Sequence, residues 1–183
     1  MNRRSFLRGT AGAGLALGAG LPSLGGRLAA LGAAPNLSHV EARYYVKLPD
    51  REIECRLCPR LCRPGDKERG YCGVRENIGG TYYTLVYGKV CSLNVDPIEK
   101  KPFFHVLPGT SALSLATAGC NVNCKFCQNW EISQVRPEQV ESSDLSPEAA
   151  ASQAAEAGCP SIAYTYTEPT VFFEYMYDTA VRA

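Results

Sequence analysis

Three cysteines stand close together in the second half of the chain, with the spacing C-x3-C-x2-C: Cys120, Cys124 and Cys127. Three thiolates from one short loop can reach three corners of a cubane iron–sulfur cluster, which takes four cysteines when it is fully ligated. With only three, one iron keeps an exchangeable position, as catalytic metal sites do. The spacing therefore predicts a [4Fe-4S] cluster at these cysteines, with one iron open to a further ligand.

Zinc and disulfide bonds are the alternatives for this loop. A structural zinc site needs four protein ligands; the next Cys or His after Cys127 is Cys159, and His105 lies upstream. A disulfide among three clustered cysteines would leave one thiol unpaired. The chain has nine cysteines, and seven of them fall in two tight groups, which is typical of metal sites rather than of disulfide frameworks.

Four more cysteines stand upstream in a Pro- and Gly-rich stretch: Cys55, Cys58, Cys62 and Cys72. Four thiolates complete either a tetrahedral zinc site or a cubane cluster, and the residues do not decide between zinc and iron–sulfur. Reduced cysteines in a small core are the plainer interpretation, because free cysteine is often buried. We predict a second metal site here, and a packing role for the isolated Cys91 and Cys159.

The elements that must position these cysteines differ between the two parts of the chain. Residues 81–87 are β-branched and aromatic and are bounded by glycines, so they predict a strand, with which residues 90–95 could pair. No long helical periodicity is present in this first part. The upstream cysteines are therefore expected in a small β-containing region.

From residue 111 onward the pattern alternates between strand and helix, which is typical of parallel βα units. Residues 111–117 form a short apolar run suited to a buried strand, and the cysteine loop follows directly. A helix is predicted over 146–158, a second strand over 160–167 and a second helix from Pro169. In barrels of such units the chemistry lies at the C-terminal strand ends. Because two parallel strands cannot close a barrel, we expect the front portion of a longer protein.

The first residues resemble an export signal. Arg3 and Arg4 precede an uncharged Gly/Ala/Leu stretch at 9–26, and small residues at 30–34 could form a cleavage site. The paired arginines favour the twin-arginine type, whereas the glycines in the apolar run disfavour a membrane-spanning helix. A disordered N-terminus is the plain alternative. The leader predicts an exported or membrane-associated protein, and a cytoplasmic protein is the alternative.

Composition and charge fit a folded, soluble protein, with 45% apolar residues, 20% charged residues and a net charge of +1. The α/β fold class rests on the alternation of strand and helix from residue 111. This balance gives no reason to expect nucleic acid as a partner. We divide the chain into a twin-arginine-like signal at 1–34, a Cys-rich region at 35–105 and a core of two βα units at 106–183.

The downstream cysteine loop resembles the defining motif of the radical SAM superfamily, which has the same spacing and an aromatic residue before the last cysteine, here Phe126. The resemblance implies that the open iron binds the amino and carboxylate groups of S-adenosylmethionine (SAM), with Phe126 at the cofactor. It also implies an electron donor that reduces the cluster, reductive cleavage of SAM, and a 5′-deoxyadenosyl radical. The protein would place the cofactor and exclude water.

A second segment, Tyr166-Thr167-Glu168-Pro169, resembles the same superfamily's Gly-Gly-Glu-Pro segment, whose backbone and glutamate contact the amino group of SAM. A carboxylate beside a bound ammonium is electrostatically favourable. The resemblance therefore implies that Tyr166, Thr167 and Glu168 bind the cofactor, with two glycines replaced. Alone, Glu-Pro is an ordinary signal for the start of a helix.

Four motifs in the same order resemble one branch of this superfamily; they lie at 55–62, 70–75, 96–102 and 127–130. They look like the radical SAM enzyme of the AmmeMemoRadiSam system, which is related to the pyruvate formate-lyase activating enzymes. This implies a partial (β/α) barrel and an oxidoreductase with activating-enzyme-like chemistry, whose substrate is either a protein or a small molecule. Residues 96–102 alone could be a charged surface turn. A non-catalytic iron–sulfur or zinc-binding module is the alternative function, because the barrel is incomplete.

Overall fold

Short strands and three α-helices make up residues 35–183, the part of the chain that this computed structural model describes. The strands are β1 (Val40–Glu41), β2 (Tyr45–Lys47), β3 (Ile53–Cys55), β4 (Arg75–Ile78), β5 (Thr81–Thr84), β6 (Lys89–Val90), β7 (Ser92–Pro97), β8 (Ser111–Ala116), β9 (Ser143–Asp144) and β10 (Ser161–Tyr164). The α-helices are α1 (Trp130–Ser133), α2 (Pro147–Glu156) and α3 (Phe173–Arg182). The predicted leader at 1–34 lies outside the described residues. Among residues 35–183, no helix has the length and apolar character needed to cross a bilayer.

The central sheet carries the strands that lead into the candidate site. β10, β8 and β7 are hydrogen-bonded in that order. β8 and β10 run parallel, with Leu113 opposite Ile162, and α2 lies between them along the chain. β8 is buried over most of its length, as expected of a strand covered on both faces. The strands predicted at 111–117 and 160–167 and their crossover helix are confirmed, and the fold is mixed α/β; a partial barrel stays a prediction.

The pairing predicted between residues 81–87 and 90–95 is wrong. β5 pairs with β1 and β4, whereas β7 pairs antiparallel with β8 and β6 pairs with β9. The physical reason is the buried edge of β8, whose N–H and C=O groups need partners that water cannot supply. A long-range pairing that satisfies these groups is therefore favoured over a local hairpin.

One hydrophobic core joins the Cys-rich region to the βα units. Its buried members are Val74, Val86, Val90, Leu115, Leu145, Ala150, Val171, Phe172 and Tyr175. Residues from both sides of position 105 are in this cluster, and the described residues belong to one compact unit. The division at residue 105 stays a prediction, but the packing makes the two parts depend on each other for burial of apolar area.

α2 begins where the sequence predicts, whereas the helix predicted from Pro169 begins as a 3₁₀ turn and becomes α-helical only at Phe173. Ser146 precedes α2, and its Oγ accepts a hydrogen bond from the backbone N–H of Ala149 at 3.1 Å, which satisfies one of the free N–H groups of the first turn. The chain after β10 enters a 3₁₀ turn at Pro169–Phe172 and continues into α3. Glu168 caps this turn, so the residue proposed to contact the cofactor also begins the helix.

Candidate metal and cofactor site

The cysteine loop leaves the buried end of β8 through a position that only glycine can occupy. Gly119 has a φ of +84°, and a Cβ there would lie 2.7 Å from the carbonyl oxygen of Cys72 and would overlap Val74. The Gly119 N–H donates to the carbonyl oxygen of Ile132 at 2.8 Å. Since L side chains rarely adopt this φ, the glycine sets the direction of the loop and brings it against the Cys-rich region.

The three loop cysteines line one cavity of about 560 Å³. All three are reduced and half-buried. Cys120 Sγ accepts a hydrogen bond from the Val122 N–H at 3.4 Å, and Cys127 Sγ lies 3.2 Å from the Ser133 hydroxyl. A cavity of this size is within the range of ligand sites, about 300–1,000 Å³.

The donor set of this loop fits a cluster. In residues 35–183 no three His, Cys, Asp or Glu side chains are grouped so that they could hold a single metal ion, yet the three thiols share one cavity. A cubane takes its cysteines at separate iron corners, and three thiols that line one cavity are the donors that such corners need.

The segment at the end of β10 lies in the same cavity. Tyr166, Thr167 and Glu168 line it together with the three cysteines. Thr167 is buried, and its hydroxyl donates to the carbonyl oxygen of Thr117 at 3.0 Å. Glu168 Oε1 accepts a hydrogen bond from the Thr170 hydroxyl at 2.7 Å. The structure thus brings together two motifs that are about 40 residues apart in sequence, as the ends of parallel strands do.

Phe126 is placed differently from the other predicted cofactor residues. Its side chain is 91% exposed, and it is not among the residues that line the cavity. Its contact with a cofactor stays a prediction.

Tyr166 adopts a backbone conformation that usually belongs to glycine. Its φ is +65°, in the left-handed region that costs a residue with a Cβ about 1–2 kcal/mol. This is one of the two positions where the resembling superfamily segment has glycine. The structure therefore keeps the glycine-like turn with a tyrosine in place, and other contacts must hold it.

Those contacts come from β7 and from the cysteine loop. The Tyr166 hydroxyl donates to Asp96 Oδ2 at 2.5 Å, and Asn129 Nδ2 donates to the Tyr166 carbonyl oxygen at 3.0 Å. The ammonium of Lys101 lies 4.7 Å from the centre of the Tyr166 ring, within the range of a cation–π contact. The hydroxyl and the backbone carbonyl of Tyr166 are thus both hydrogen-bonded, which offsets the free-energy cost of its positive φ.

Asp96 connects this turn to two lysines. It is buried and accepts hydrogen bonds from Lys100 Nζ at 2.7 Å and Lys101 Nζ at 2.6 Å. Although burial raises the pKa of Asp96, the hydrogen bonds from both lysines and Tyr166 outweigh it and hold that pKa well below its usual range. Both lysines also line the cavity. The alternative interpretation of residues 96–102 as a charged surface turn therefore does not hold for Asp96 and Lys101, whose side chains are buried. The sequence analysis did not predict that this segment reaches the cavity.

Replacement of Asp96 by asparagine should lower the free energy of unfolding at pH 7 by about 2–3 kcal/mol, because charge-assisted hydrogen bonds are lost in a buried place. The depressed pKa of Asp96 means that its contribution is present above the ordinary carboxyl pKa of about 3.9 and is lost as the pH falls through the folded-state value. The variant should also weaken SAM binding about tenfold, because Tyr166 is held less firmly; this is a typical effect of a residue that supports a ligand-binding residue. Urea unfolding and calorimetric titration measure the two effects.

The control for this variant is Glu99→Gln. Glu99 lies in the same segment but does not line the cavity; its carboxylate accepts a hydrogen bond from the Gly109 N–H. An Asp96→Asn protein that binds SAM as tightly as the Glu99→Gln protein would contradict the role given to Asp96.

The four upstream cysteines are also brought together. Cys55, Cys58, Cys62 and Cys72 line a second, much smaller cavity of about 20 Å³. Cys159 and Cys91 lie elsewhere: Cys159 is buried in a cluster with Leu113 and Ala154, and burial raises the pKa of Cys91 to about 11. The packing role predicted for Cys159 is confirmed, whereas Cys91 is only half-buried and its packing role stays a prediction.

Comparison with known proteins gives a family for the second part of the chain. Residues 114–182 match the model of the Radical SAM superfamily. Two relatives, both from Methanocaldococcus jannaschii, are named "Uncharacterized protein MJ0808" and "Uncharacterized protein MJ0674". The first is 52% identical over 143 residues, 78% of this chain and 43% of the relative. The second is 32% identical over 82 residues, 44% of this chain and 19% of the relative.

The chain therefore spans less than half the length of the curated relatives it matches. No solved structure matches it significantly. Members of this superfamily generally bind a [4Fe-4S] cluster and SAM, and both the cysteine loop and the Tyr166–Glu168 segment lie within the matched residues. Residues 114–182, which contain both segments, are thus similar to the domain of the Radical SAM superfamily.

Proposed function

We propose that this protein binds a [4Fe-4S] cluster through Cys120, Cys124 and Cys127 and uses it to cleave SAM reductively. The observation that carries the proposal is the shared cavity, which the three thiols line together with Tyr166, Thr167 and Glu168. When bound, the cluster would supply one electron to the sulfonium of SAM, and a 5′-deoxyadenosyl radical would result. The chain's own residues bind, orient and shield the cofactor.

The charges around the cavity match the amino-acid end of SAM. Glu168 uses Oε1 to accept from the hydroxyl of Thr170, which leaves Oε2 to accept from an ammonium group. Lys100 and Lys101 line the same cavity and share one carboxylate, that of Asp96, which leaves a net positive charge for the carboxylate of SAM. A carboxylate for the ammonium and cations for the carboxylate make charge-assisted contacts that are stronger than neutral ones.

The reaction class we propose is that of an activating enzyme, in which the radical abstracts hydrogen from a partner protein. Support comes from the four motifs that resemble this branch of the superfamily, at 55–62, 70–75, 96–102 and 127–130. Two partners follow from the chemistry: a one-electron donor that reduces the cluster, and a protein from which the radical takes the hydrogen atom. For the leader at 1–34, we propose export or membrane association by the twin-arginine route.

The test uses the full-length protein, reconstituted with iron and sulfide under anaerobic conditions. We expect the reduced cluster to give an electron paramagnetic resonance signal that changes when SAM is added, together with formation of 5′-deoxyadenosine. A cluster signal indifferent to SAM and no 5′-deoxyadenosine would show instead a non-catalytic iron–sulfur module. A protein that takes up only zinc at the three loop cysteines would also contradict the proposal.

The activating-enzyme form is tested by isotope transfer. Proteins of the source organism are labelled with deuterium and offered as substrate, separately from its deuterium-labelled small molecules. Deuterium should appear in 5′-deoxyadenosine from the protein fraction. Transfer from the small-molecule fraction alone would assign a different substrate class.

A further inference from the structure

We propose that Cys55, Cys58, Cys62 and Cys72 form a second, closed metal centre with four thiolate ligands. They come from separate parts of the chain: the end of β3, the loop after it, and the turn before β4. All four nevertheless line one small cavity of about 20 Å³, which has room for about one water-sized sphere. This inference is independent of SAM cleavage and goes beyond it.

The backbone holds the four cysteines around this cavity. The Cys55 N–H donates to the carbonyl oxygen of Cys62 at 2.9 Å, which closes the loop between them. Cys62 Sγ accepts from the Tyr71 N–H at 3.4 Å, an N–H···S contact that favours a thiolate sulfur. The Gly73 N–H donates to the carbonyl oxygen of Gly70 at 2.9 Å, so that the turn that carries Cys72 is also closed.

A buried hydroxyl without a partner points to a missing acceptor. Tyr82 is fully buried and lines the cavity, and among the described residues its hydroxyl makes no hydrogen bond. An unpaired polar group in a core costs about 1–3 kcal/mol. A Cβ on Gly70 would lie 2.5 Å from this hydroxyl, so the glycine makes room for it. The sulfur of a metal-bound thiolate would accept the O–H and remove the cost.

A bound metal would supply the positive charge that four thiolate ligands need. The other buried cation at the cavity, the guanidinium of Arg75, is already paired with Glu174. Arg60 also lines the cavity, and its guanidinium lies 3.4 Å from the centre of the Tyr71 ring. Buried charges of one sign need a partner, and a thiophilic metal is the partner that four cysteines select.

The centre would be closed, because four protein ligands leave no position for substrate. A zinc ion and a fully ligated [4Fe-4S] cluster share this chemistry. Because no three of these side chains are grouped to hold a single ion in residues 35–183 and the cavity is only about 20 Å³, binding of either group would have to shift the four sulfurs. The carbonyl oxygen of Cys72 lies 2.7 Å from where a Cβ of Gly119 would stand. The backbone at Cys72 therefore packs directly against the start of the cysteine loop that carries Cys120, Cys124 and Cys127. We infer that the second centre supports the loop that begins at Gly119.

The decisive experiment counts metal in the full-length variant with Cys120, Cys124 and Cys127 all replaced by alanine. Without the loop thiols, the protein should still carry about one zinc or about four irons with sulfide per chain. The ratio of iron to sulfide to zinc distinguishes the two kinds of centre. Further replacement of Cys58 and Cys62 by alanine should remove this metal, whereas replacement of Cys91 and Cys159 should not. A triple variant free of metal, or metal that survives loss of Cys58 and Cys62, would overturn the proposal.

Tyr82→Phe tests the same centre without removing a ligand. The variant loses only the unpaired hydroxyl, so it should fold like the unchanged protein. It should lose metal to a chelator about 10–100 times faster, as is typical when a hydrogen bond to a ligand is removed. Equal rates of metal loss from the two folded proteins would contradict the proposal. Failure of SAM cleavage would appear as absence of 5′-deoxyadenosine, and it would not change the metal content measured at the upstream cysteines.

Discussion

Replacement of Cys127 by alanine should lower the rate of SAM cleavage by more than about 100-fold, since loss of a direct ligand must exceed the effect of its supporting contacts. The fold should survive, because this thiol is half-buried and belongs to none of the hydrophobic clusters. Within residues 35–183, the side-chain group at hydrogen-bond distance from this thiol is the Ser133 hydroxyl, at 3.2 Å. The rate of 5′-deoxyadenosine formation and the iron content of the loop measure the effect.

The matched control for this prediction is Cys159→Ala. Cys159 is 6% exposed and packs with Leu113 and Ala154, away from the cavity. Its replacement should cost about 1 kcal/mol of stability and leave SAM cleavage intact. The two variants should thus give opposite results in activity and in unfolding. A Cys127→Ala protein with full activity would show that the thiol is not a ligand.

Replacement of Glu174 by glutamine should lower the free energy of unfolding by about 3–5 kcal/mol, because it leaves the Arg75 guanidinium buried without a counter-charge. Both side chains are 1% exposed. Arg75 Nη1 donates to Glu174 Oε1 at 3.1 Å and Arg75 Nη2 to Glu174 Oε2, and Arg75 Nε donates to the carbonyl oxygen of Val171 at 3.2 Å. Glu174 Oε1 also accepts from the Arg43 N–H at 2.9 Å. Chemical denaturation measures the loss.

Two further variants show whether the cost comes from the unpaired charge. The double replacement Arg75→Met with Glu174→Leu should cost less than Glu174→Gln alone, since apolar groups of similar size avoid the buried charge. Glu148→Gln breaks an exposed pair with Arg182 at 3.0 Å and should cost less than about 1 kcal/mol. Equal losses from Glu174→Gln and Glu148→Gln would mean that burial of the pair does not matter.

Several parts of the site could be predicted because their causes are local. Cys120, Cys124 and Cys127 are close in space because they are close in sequence, so their spacing alone indicates a metal loop. Ser146 caps the helix after it because its side chain reaches the first free N–H groups. The meeting of the cysteine loop with Glu168 follows from a rule of parallel sheets, whose strand ends share one edge.

Other parts depend on which distant surfaces bury each other. The pairing of β7 with β8 could not be predicted, because its reason is an edge of β8 that needs partners only after the core has formed. Likewise Tyr166 keeps a left-handed backbone through Asp96, 70 residues away. Arg75 finds its counter-charge 99 residues away in Glu174.

The amino-acid sequence thus determined the chemistry of this protein: which thiols can bind metal, which carboxylate can face an ammonium, and where strands and helices begin. The tertiary structure decided how these groups are held: Gly119 against Cys72, Tyr166 on Asp96, and Tyr82 beside the upstream cysteines. The reason is that ligand type and spacing are properties of neighbouring residues, whereas burial, charge compensation and an unpaired hydroxyl exist only after distant segments pack together.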